Sequence, residues 1–280
     1  MAQPSLKRKL SASSLSTFLK SPKKFYWAYV VGLVPIQLSA ATYDHDMIFG
    51  QIWAEITDRF YKGMGEEENI RLAKTEWADR TDGWVPEKQK DSLTRALDNL
   101  APMYYQLFDP LDGCRAPDKS ELWVENDRFC GKLDGLSNDG IIHEVKSTSR
   151  AKSMIDQHWK VENSLQVRLY GVLAQAKGIV IEFAFKDTPN AIQHNPVKEF
   201  SENDLKLWEQ ELNTLADFIY SLGDDPYNYP CHPDGCCITS KFMSSICSYQ
   251  LLCEQGLTEE NQIFYKVKES QQSKQRKGSA

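Results

Sequence analysis

The sequence lacks several features that would assign the chain to a special class. No stretch approaches the roughly 18 consecutive apolar residues that a membrane span requires. The N-terminus also has no apolar run followed by a small-residue cleavage site. We therefore expect a chain without membrane contact, located in the cytoplasm. Seven cysteines among 280 residues do not indicate a disulfide framework in that compartment.

The chain also has no excess of basic residues. Its 33 Lys and Arg face 39 Asp and Glu, so the formal net charge is −6. This balance argues against a protein that coats nucleic acid non-specifically, because phosphate contacts need clustered cations. Basic residues gather locally at 7–9, 20–24 and 266–277. We interpret 1–10 as a flexible N-terminus and 266–280 as a polar, solvated tail.

The apolar periodicity changes along the chain. Apolar residues recur at helical spacing through 11–108, including 69–108. Region 119–186 predicts three strands, a helix that Gly178 ends, and a buried strand, with a hairpin turn at Asn138-Asp139-Gly140. Another amphipathic helix is predicted over 203–222. We expect an α/β fold and one domain over 11–255, with a helical part (11–108), a core (119–186) and a cysteine-bearing part (203–255).

Three residues around the predicted hairpin form a candidate metal and catalytic site. Asp134 lies near the end of one strand, and Glu144 lies on its partner across the turn. Glu144 and Lys146 are two residues apart on a strand, so their side chains share one face. Converging carboxylates hold divalent ions, and a lysine supplies a positive charge. From the spacing alone, a solvated face of an exposed strand is the favoured interpretation.

The motifs in this region resemble those of RecB-type nucleases in the PD-(D/E)xK superfamily. Gly131-Lys132-Leu133-Asp134 is similar to the family's G-x-x-D motif, and Glu144-Val145-Lys146-Ser147 is similar to E-x-K-(T/S). Gln166 and Tyr170 match Q-x-x-x-Y. The N-terminal segment around Ser21-Pro22-Lys23-Lys24-Phe25-Tyr26 also resembles the family. The resemblance covers roughly 11–255 and implies a restriction-endonuclease-like core: a helix, a three-stranded meander, a helix and a strand, with helical additions at both ends.

The resemblance implies a role for each motif residue. Asp134, Glu144 and the backbone carbonyl of Val145 would bind Mg²⁺ or Mn²⁺, which are hard cations that prefer oxygen ligands. Lys146 would orient the attacking water or stabilise the developing charge. Gln166 and Tyr170, four residues apart on one helix face, would border the site and contact DNA or the catalytic residues.

One position departs from the family pattern. The family's long N-terminal helix carries a metal-binding His in a G-x-x-H arrangement, and this chain has Trp53 there. Indole N–H is a donor only and cannot bind a metal. Either another acid compensates or the site binds fewer ions; the candidates for compensation are Glu55, Glu121 and Glu125.

The cysteines of the C-terminal part are a second departure. Some family members hold an iron–sulfur cluster with four cysteines, but Ser21 and Ser244 stand at two of those positions here. Serine is a poor substitute for a soft thiolate, so we do not expect a cluster in the family arrangement. Zinc bound by a subset of the nearby ligands is an alternative, and so is simple packing of small thiols. The ligand candidates are Cys231, His232, Cys236, Cys237, Cys247 and Cys253.

The resemblance predicts a metal-dependent DNA exonuclease that acts on ends or single strands, in recombination, repair or phage DNA processing. The alternative is a catalytically weakened DNA-binding or scaffold protein, which Trp53 and Ser21 favour. A sequence-specific restriction enzyme has no support, because no separate recognition module is visible. His143 is expected to point away from the site and to be packed or solvated, and His158 is weak evidence for phosphate binding.

Overall fold

In a computed structural model of the chain, the described residues are 8–35, 45–82, 85–107, 117–148, 163–186, 190–231 and 249–267. They belong to two compact units. The sheet unit is Ala40–Asn213, and the terminal unit consists of Met1–Ser39 and Thr214–Ala280. Among the described helices, none is long and apolar enough to cross a membrane.

The secondary-structure elements follow in chain order. The N-terminal segment contains α1 (Ala12–Lys20), α2 (Pro22–Phe25), a π-helical turn (Tyr26–Val31) and β1 (Leu33–Pro35). The middle contains α3 (His45–Tyr61), α4 (Glu66–Thr81), α5 (Glu87–Leu107), β2 (Lys119–Glu125), β3 (Cys130–Leu136) and β4 (Ile141–Thr148). The remainder contains α6 (Leu165–Ala174), β5 (Gly178–Phe185), β6 (Ala191–His194), β7 (Lys198–Glu199), α7 (Glu202–Ser221), α8 (Gln250–Gln255) and β8 (Tyr265–Val267).

The sheet unit is built on a mixed sheet. Its described strands lie in the order β2-β3-β4-β5-β6, and β7 pairs with the start of β5. β4 and β5 are parallel, and the other pairs are antiparallel. The β3–β4 hairpin closes as predicted, because Gly140 adopts a positive φ of 88° that glycine tolerates without strain. The helix, meander, helix and strand of the predicted α/β core are therefore confirmed.

Helices α3, α4 and α5 enclose the main hydrophobic core of the sheet unit. Val145 of β4 and Ala184 of β5 pack into it from the sheet. Trp53 of α3 is 1% exposed, and its ring meets the ring of Tyr104 edge-on at 5.6 Å. The predicted helical stretch 69–108 is two helices, since α4 ends at Thr81 and α5 begins after Pro86. Proline disfavours the helical conformation in the residue before it, which explains a boundary at this point.

Gly178 does not end helix α6, contrary to the prediction. The helix ends at Ala174, and Gln175 adopts the left-handed conformation at its C-cap. Gly178 is the first residue of β5, and a Cβ there would lie 2.7 Å from the Lys198 carbonyl oxygen. Glycine is therefore required by the close approach of β7 to β5.

A buried hydrogen-bond network surrounds Glu182 of β5. The Tyr104 hydroxyl donates to Glu182 Oε2 at 2.6 Å, and the Tyr61 hydroxyl lies 3.1 Å from the same oxygen. His143 Nδ1 lies 3.3 Å from Oε1. Burial, together with the Glu182 carboxylate, raises the pKa of both tyrosines well above the usual value. Both hydroxyls therefore stay protonated and compensate the buried carboxylate.

We predict that Tyr104→Phe destabilises the protein by about 1.5–3 kcal/mol, because a hydrogen bond to a buried charged group is lost. Urea unfolding of wild type and variant measures the difference. Tyr227→Phe is the control, since Tyr227 is 91% exposed and should change stability by less than about 0.5 kcal/mol. Equal stability of Tyr104→Phe and wild type would contradict a stabilising role for this hydroxyl.

The terminal unit contains helix caps, a two-stranded sheet and an aromatic cluster. Ser11 and Ser14 form a capping box at the start of α1. Ser21 caps α2 by accepting a hydrogen bond from the Lys24 N–H at 3.2 Å. β1 and β8 pair antiparallel. Rings from both chain segments pack together, including those of Phe18, Phe25, Tyr26, Phe218 and Tyr229.

Candidate active site

The β3–β4 hairpin brings the two predicted carboxylates together. Gly135 pairs with His143 and Leu136 with Ile142, so the same antiparallel register places Asp134 opposite Glu144. Asp134 Oδ2 accepts a hydrogen bond from the backbone N–H of Val145 at 2.9 Å. Glu144 is fully buried. Two acidic side chains thus converge on adjacent strands, where neither is freely hydrated.

Lys146 and Gln166 complete the polar cluster around Glu144. The Lys146 ammonium forms an ion pair with Glu144 Oε1. Gln166, in the first turn of α6, donates from Nε2 to the same oxygen at 2.8 Å. Its Oε1 lies 3.4 Å from Lys146 Nζ, so the amide bridges the acid and the lysine. Ser164 caps this helix by accepting from the Val167 N–H, which fixes the helix start beside the cluster.

Tyr170 lies one helical turn after Gln166 and packs on β3. A Cβ added to Gly131 would lie 2.4 Å from Cε1 of the Tyr170 ring. The glycine of the G-x-x-D motif is therefore needed so that this ring can approach the strand. Burial, followed by the nearby carboxylates of Glu144 and Asp134, raises the pKa of Tyr170 to about 12. Its hydroxyl remains protonated at neutral pH.

We predict that Gly131→Ala destabilises the protein by about 1–3 kcal/mol, because the added methyl overpacks the contact with Tyr170. The matched control is Gly171→Ala on α6, where the nearest atom to an added Cβ is a side-chain carbon of Trp208 at 3.2 Å. A helical alanine is also intrinsically favoured over glycine. Thermal unfolding of both variants tests this; equal effects would rule out a special constraint at Gly131.

In this cluster the carboxyl groups of Asp134 and Glu144 share one positively charged side chain, that of Lys146. Burial, and then the charge of Glu144, raises the pKa of Asp134 to about 7. Burial disfavours the charged form of Lys146, but the carboxylates of Glu144 and Asp134 outweigh it and hold the lysine pKa above its usual value. One ammonium therefore partly neutralises two carboxylates, and a further positive charge would be stabilised here.

The same residues fit a divalent cation. Glu144 Oε2 is buried and has no hydrogen-bond partner among the residues that the structure describes. An unsatisfied carboxylate oxygen is costly, and a metal ion is one way to satisfy it. Hard carboxylate oxygens from Asp134 and Glu144 are the ligand type that Mg²⁺ and Mn²⁺ prefer. Within the described ranges, no group of three His, Cys, Asp or Glu side chains is arranged to hold a metal ion.

The structure gives each acid proposed to compensate for Trp53 another partner. Glu55 pairs with Arg59 and Arg80. Glu125 accepts from the Trp123 indole N–H at 2.8 Å. Glu121 forms an ion pair with Lys132.

Glu121 nevertheless has an unusual position and backbone. Ser120 pairs with Gly135 and Leu122 with Leu133, so Glu121 lies opposite Asp134 in the register. Its φ is 53°, a left-handed conformation that is uncommon for a residue other than glycine. The β2–β3 ladder is therefore distorted at the level of the acid pair.

The remaining predicted ligands belong to the terminal unit or fall outside the described residues. Cys236, Cys237, Cys247, His232, Ser244 and His158 fall outside the described ranges. Cys253 is half-buried on α8, and Cys231 is exposed. Ser21, at a family cysteine position, caps a helix. His143 is buried beside Glu182, and strand alternation puts its side chain on the opposite face from Glu144, as expected for a packed histidine.

Sequence analysis missed the Glu182 network, although one signal for it exists. Glu182 is the single charged residue in the apolar run Gly178–Phe185. A carboxylate in a fully buried strand needs partners, and Tyr61 and Tyr104 supply them. Glu182 pairs in register with Val145, so this network lies next to the acid pair.

Comparison with known families identifies the superfamily. The sequence matches the profile of the PD-(D/E)XK nuclease superfamily over residues 9–254, so the chain belongs to this superfamily. This membership supports nuclease activity and implies a nucleic-acid substrate. No curated protein matches the sequence.

A solved structure has a similar fold. A protein from Eubacterium rectale, whose crystal structure is described as that of a "Putative exonuclease", superposes with a TM-score of 0.53 at 11% identity. The match covers 95% of this chain and 92% of that chain. A second structure, SSO0001, covers 66% of this chain and 86% of its own at 15% identity, with a TM-score of 0.31. That score is too low to indicate a common fold.

Proposed function

We propose that this protein is a metal-dependent DNA exonuclease. The observation that carries the proposal is the buried Glu144 carboxylate: one oxygen is bound by Lys146 and Gln166, and within the described part of the chain the other has no hydrogen-bond partner. Together with Asp134, it forms an acid pair whose mutual repulsion is relieved when a cation binds. Such a centre suits hydrolysis of a phosphodiester by an activated water.

Each residue has a separate role in the proposed chemistry. Asp134, Glu144 and the Val145 carbonyl would hold Mg²⁺ or Mn²⁺, which would supply positive charge to the attacked phosphate and activate water. The Lys146 ammonium orients the attacking water or stabilises negative charge that develops on the phosphate. Gln166 positions Lys146 and Glu144 by bridging them. Tyr170 borders the site as a neutral hydroxyl.

The choice of DNA and of end-directed cleavage rests on the motif set. Asp134, Glu144, Lys146, Gln166 and Tyr170 match the motifs of RecB-type nucleases, in which exonucleases are found. The Eubacterium rectale structure with the same fold is itself described as that of a "Putative exonuclease". Work on DNA ends would suit recombination, repair or phage DNA processing.

One observation favours the alternative of a catalytically weakened DNA-binding protein. Trp53, where the family carries a metal-binding His, is buried in the helical core against Tyr104. The described residues therefore supply two acidic ligands where the family pattern supplies an additional histidine. We favour the enzyme because the acid pair is electrostatically unfavourable without a cation.

The test uses four labelled substrates: linear single-stranded DNA, linear duplex DNA and linear RNA, each labelled at one end, and circular single-stranded DNA labelled internally. Wild type and Lys146→Ala are incubated with each substrate in Mg²⁺, in Mn²⁺ and in EDTA. We expect metal-dependent release of mononucleotides or short products from linear DNA, no cleavage of the circle, and about 10²–10⁴-fold slower release by Lys146→Ala.

Each other outcome changes a specific part of the proposal. Cleavage of the circle would make the enzyme an endonuclease, and faster degradation of RNA would change the substrate. DNA binding by wild type without cleavage in any metal would support the weakened, DNA-binding protein instead.

A further inference from the structure

Trp123 is a large aromatic side chain that the fold leaves half exposed. It lies on β2, the edge strand of the sheet, and is 49% exposed. Its indole N–H donates to Glu125 Oε2 at 2.8 Å, so the orientation of the ring is held from one edge. A positioned and half-exposed indole presents a flat apolar face to solvent, on which another aromatic ring can stack.

The backbone register places this ring near the acid pair. Trp123 pairs with Lys132 across the β2–β3 ladder, and Lys132 precedes Asp134 by two residues on β3. The Trp123 and Asp134 backbones are therefore within about 12 Å, from the strand rise and the spacing between paired strands. This distance is a few nucleotides along a stacked strand, at about 3.4 Å per nucleotide.

We infer that Trp123 is a stacking platform for an unpaired base of the substrate, which gives this enzyme a preference for single-stranded nucleic acid. The inference rests on the proposed function, since it assumes that the nucleic acid passes Asp134. An indole face binds the face of any base. In a duplex those faces are already covered by neighbouring bases, so only an unstacked base is available.

The charges around Trp123 favour recognition of the base over the phosphate. Glu121 forms an ion pair with Lys132, and Glu125 holds the indole N–H. Arg128, in the turn between β2 and β3, donates to the Asn213 side chain at 2.9 Å. Because Lys132 is paired with Glu121 and Glu125 adds a further negative charge, these side chains do not form a cationic cluster for a phosphate, and stacking supplies the affinity at this position. The contribution of Trp123 should therefore depend little on salt concentration, unlike that of a phosphate contact.

The experiment measures binding without turnover. Fluorescence anisotropy in EDTA follows a labelled dT oligonucleotide, an oligonucleotide of the same length made of abasic residues, and a blunt duplex. Wild type is compared with Trp123→Ala and Trp123→Phe. Leu207→Ala on α7 is the matched control, because Leu207 is 53% exposed and lies in the same unit. Thermal unfolding checks that the variants remain folded.

We expect Trp123→Ala to weaken dT binding about 5- to 100-fold, with a similar factor at low and high salt. Binding of the abasic strand and of the duplex should change less than twofold. Trp123→Phe should retain most of the affinity, and Leu207→Ala should match wild type.

Three results would overturn the inference: equal weakening on dT and abasic strands, no weakening on dT, or no binding of single strands by wild type. Because the assay needs no cleavage, base-dependent weakening by Trp123→Ala in a protein that never cleaves DNA would uphold the platform. In that case the lack of cleavage would reject the nuclease proposal, and the inference about Trp123 would stand.

Discussion

Replacing Glu144 with glutamine will slow DNA degradation by about 10³-fold or more, which corresponds to roughly 4 kcal/mol of lost transition-state stabilisation. The substitution keeps the volume of the side chain and removes its charge. A neutral amide is a poor ligand for a hard cation, and it also releases Lys146 from its ion pair. The buried position can still accept the hydrogen bond from Gln166 Nε2. The loss should therefore appear in turnover and metal binding, with the fold retained.

Single-turnover rates in saturating Mn²⁺ measure this effect, and circular dichroism checks the fold. Lys62→Ala is a suitable control, because Lys62 is an exposed residue that follows α3 and pairs with Asp58, and its removal should leave the rate within about twofold of wild type. If the rate of Glu144→Gln were within tenfold of wild type, the assignment of Glu144 as a metal ligand would be wrong.

Replacing Asp134 with asparagine will stabilise the metal-free protein at alkaline pH while abolishing cleavage. The pKa of Asp134 is raised from 3.8 to about 7 in the folded chain, first by burial and then by Glu144. A carboxyl with a raised folded pKa stabilises the fold fully below its unfolded pKa. That stabilisation is lost as pH rises through about 7. Each unit of pKa difference is about 1.4 kcal/mol, so the gain at pH 8 in EDTA should be roughly 2–4 kcal/mol.

The pH series carries its own control. The advantage of Asp134→Asn should shrink toward zero near pH 4, where the wild-type carboxyl is protonated in both states. Asp79→Asn, on the exposed part of α4, should show no such trend. Mn²⁺ should stabilise wild type and leave Asp134→Asn nearly unchanged, because ligand binding stabilises only the state that binds it. If Asp134→Asn were less stable than wild type at pH 8, the carboxylates of Asp134 and Glu144 would not destabilise the metal-free protein by repulsion.

The parts of the site that local chemistry specifies can be predicted from the sequence. Asn138-Asp139-Gly140 indicates a hairpin because these residues tolerate positive φ, and the hairpin register then brings Asp134 opposite Glu144. Strand alternation puts Lys146 beside Glu144. The helix that carries Gln166 follows from apolar spacing. Each step depends on residues fewer than 15 positions apart, or on a motif.

The parts that depend on packing between distant segments cannot be read in this way. Gly178 follows a helix and therefore suggests a helix cap. Glycine is needed there because the backbone of β7, twenty residues later, approaches too closely for a side chain. The left-handed conformation of Glu121 has no local signature. The short strands β6 and β7 carry too few residues for a periodic pattern. The partners of Glu182 come from α3 and α5, about 80 to 120 residues away in sequence.

Trp53 has a consequence for how this protein could change over evolutionary time. Its ring fills the interior between α3 and α5, so a single substitution to histidine would leave a void and bury an imidazole that needs a hydrogen-bond partner. Truncating a buried tryptophan commonly costs about 3–5 kcal/mol, a large share of a typical folding free energy. A histidine at this position therefore requires neighbouring changes first, around Tyr104. The packing of the interior thus makes a metal-binding side chain difficult to introduce here, and any further ligand would have to arise at other positions.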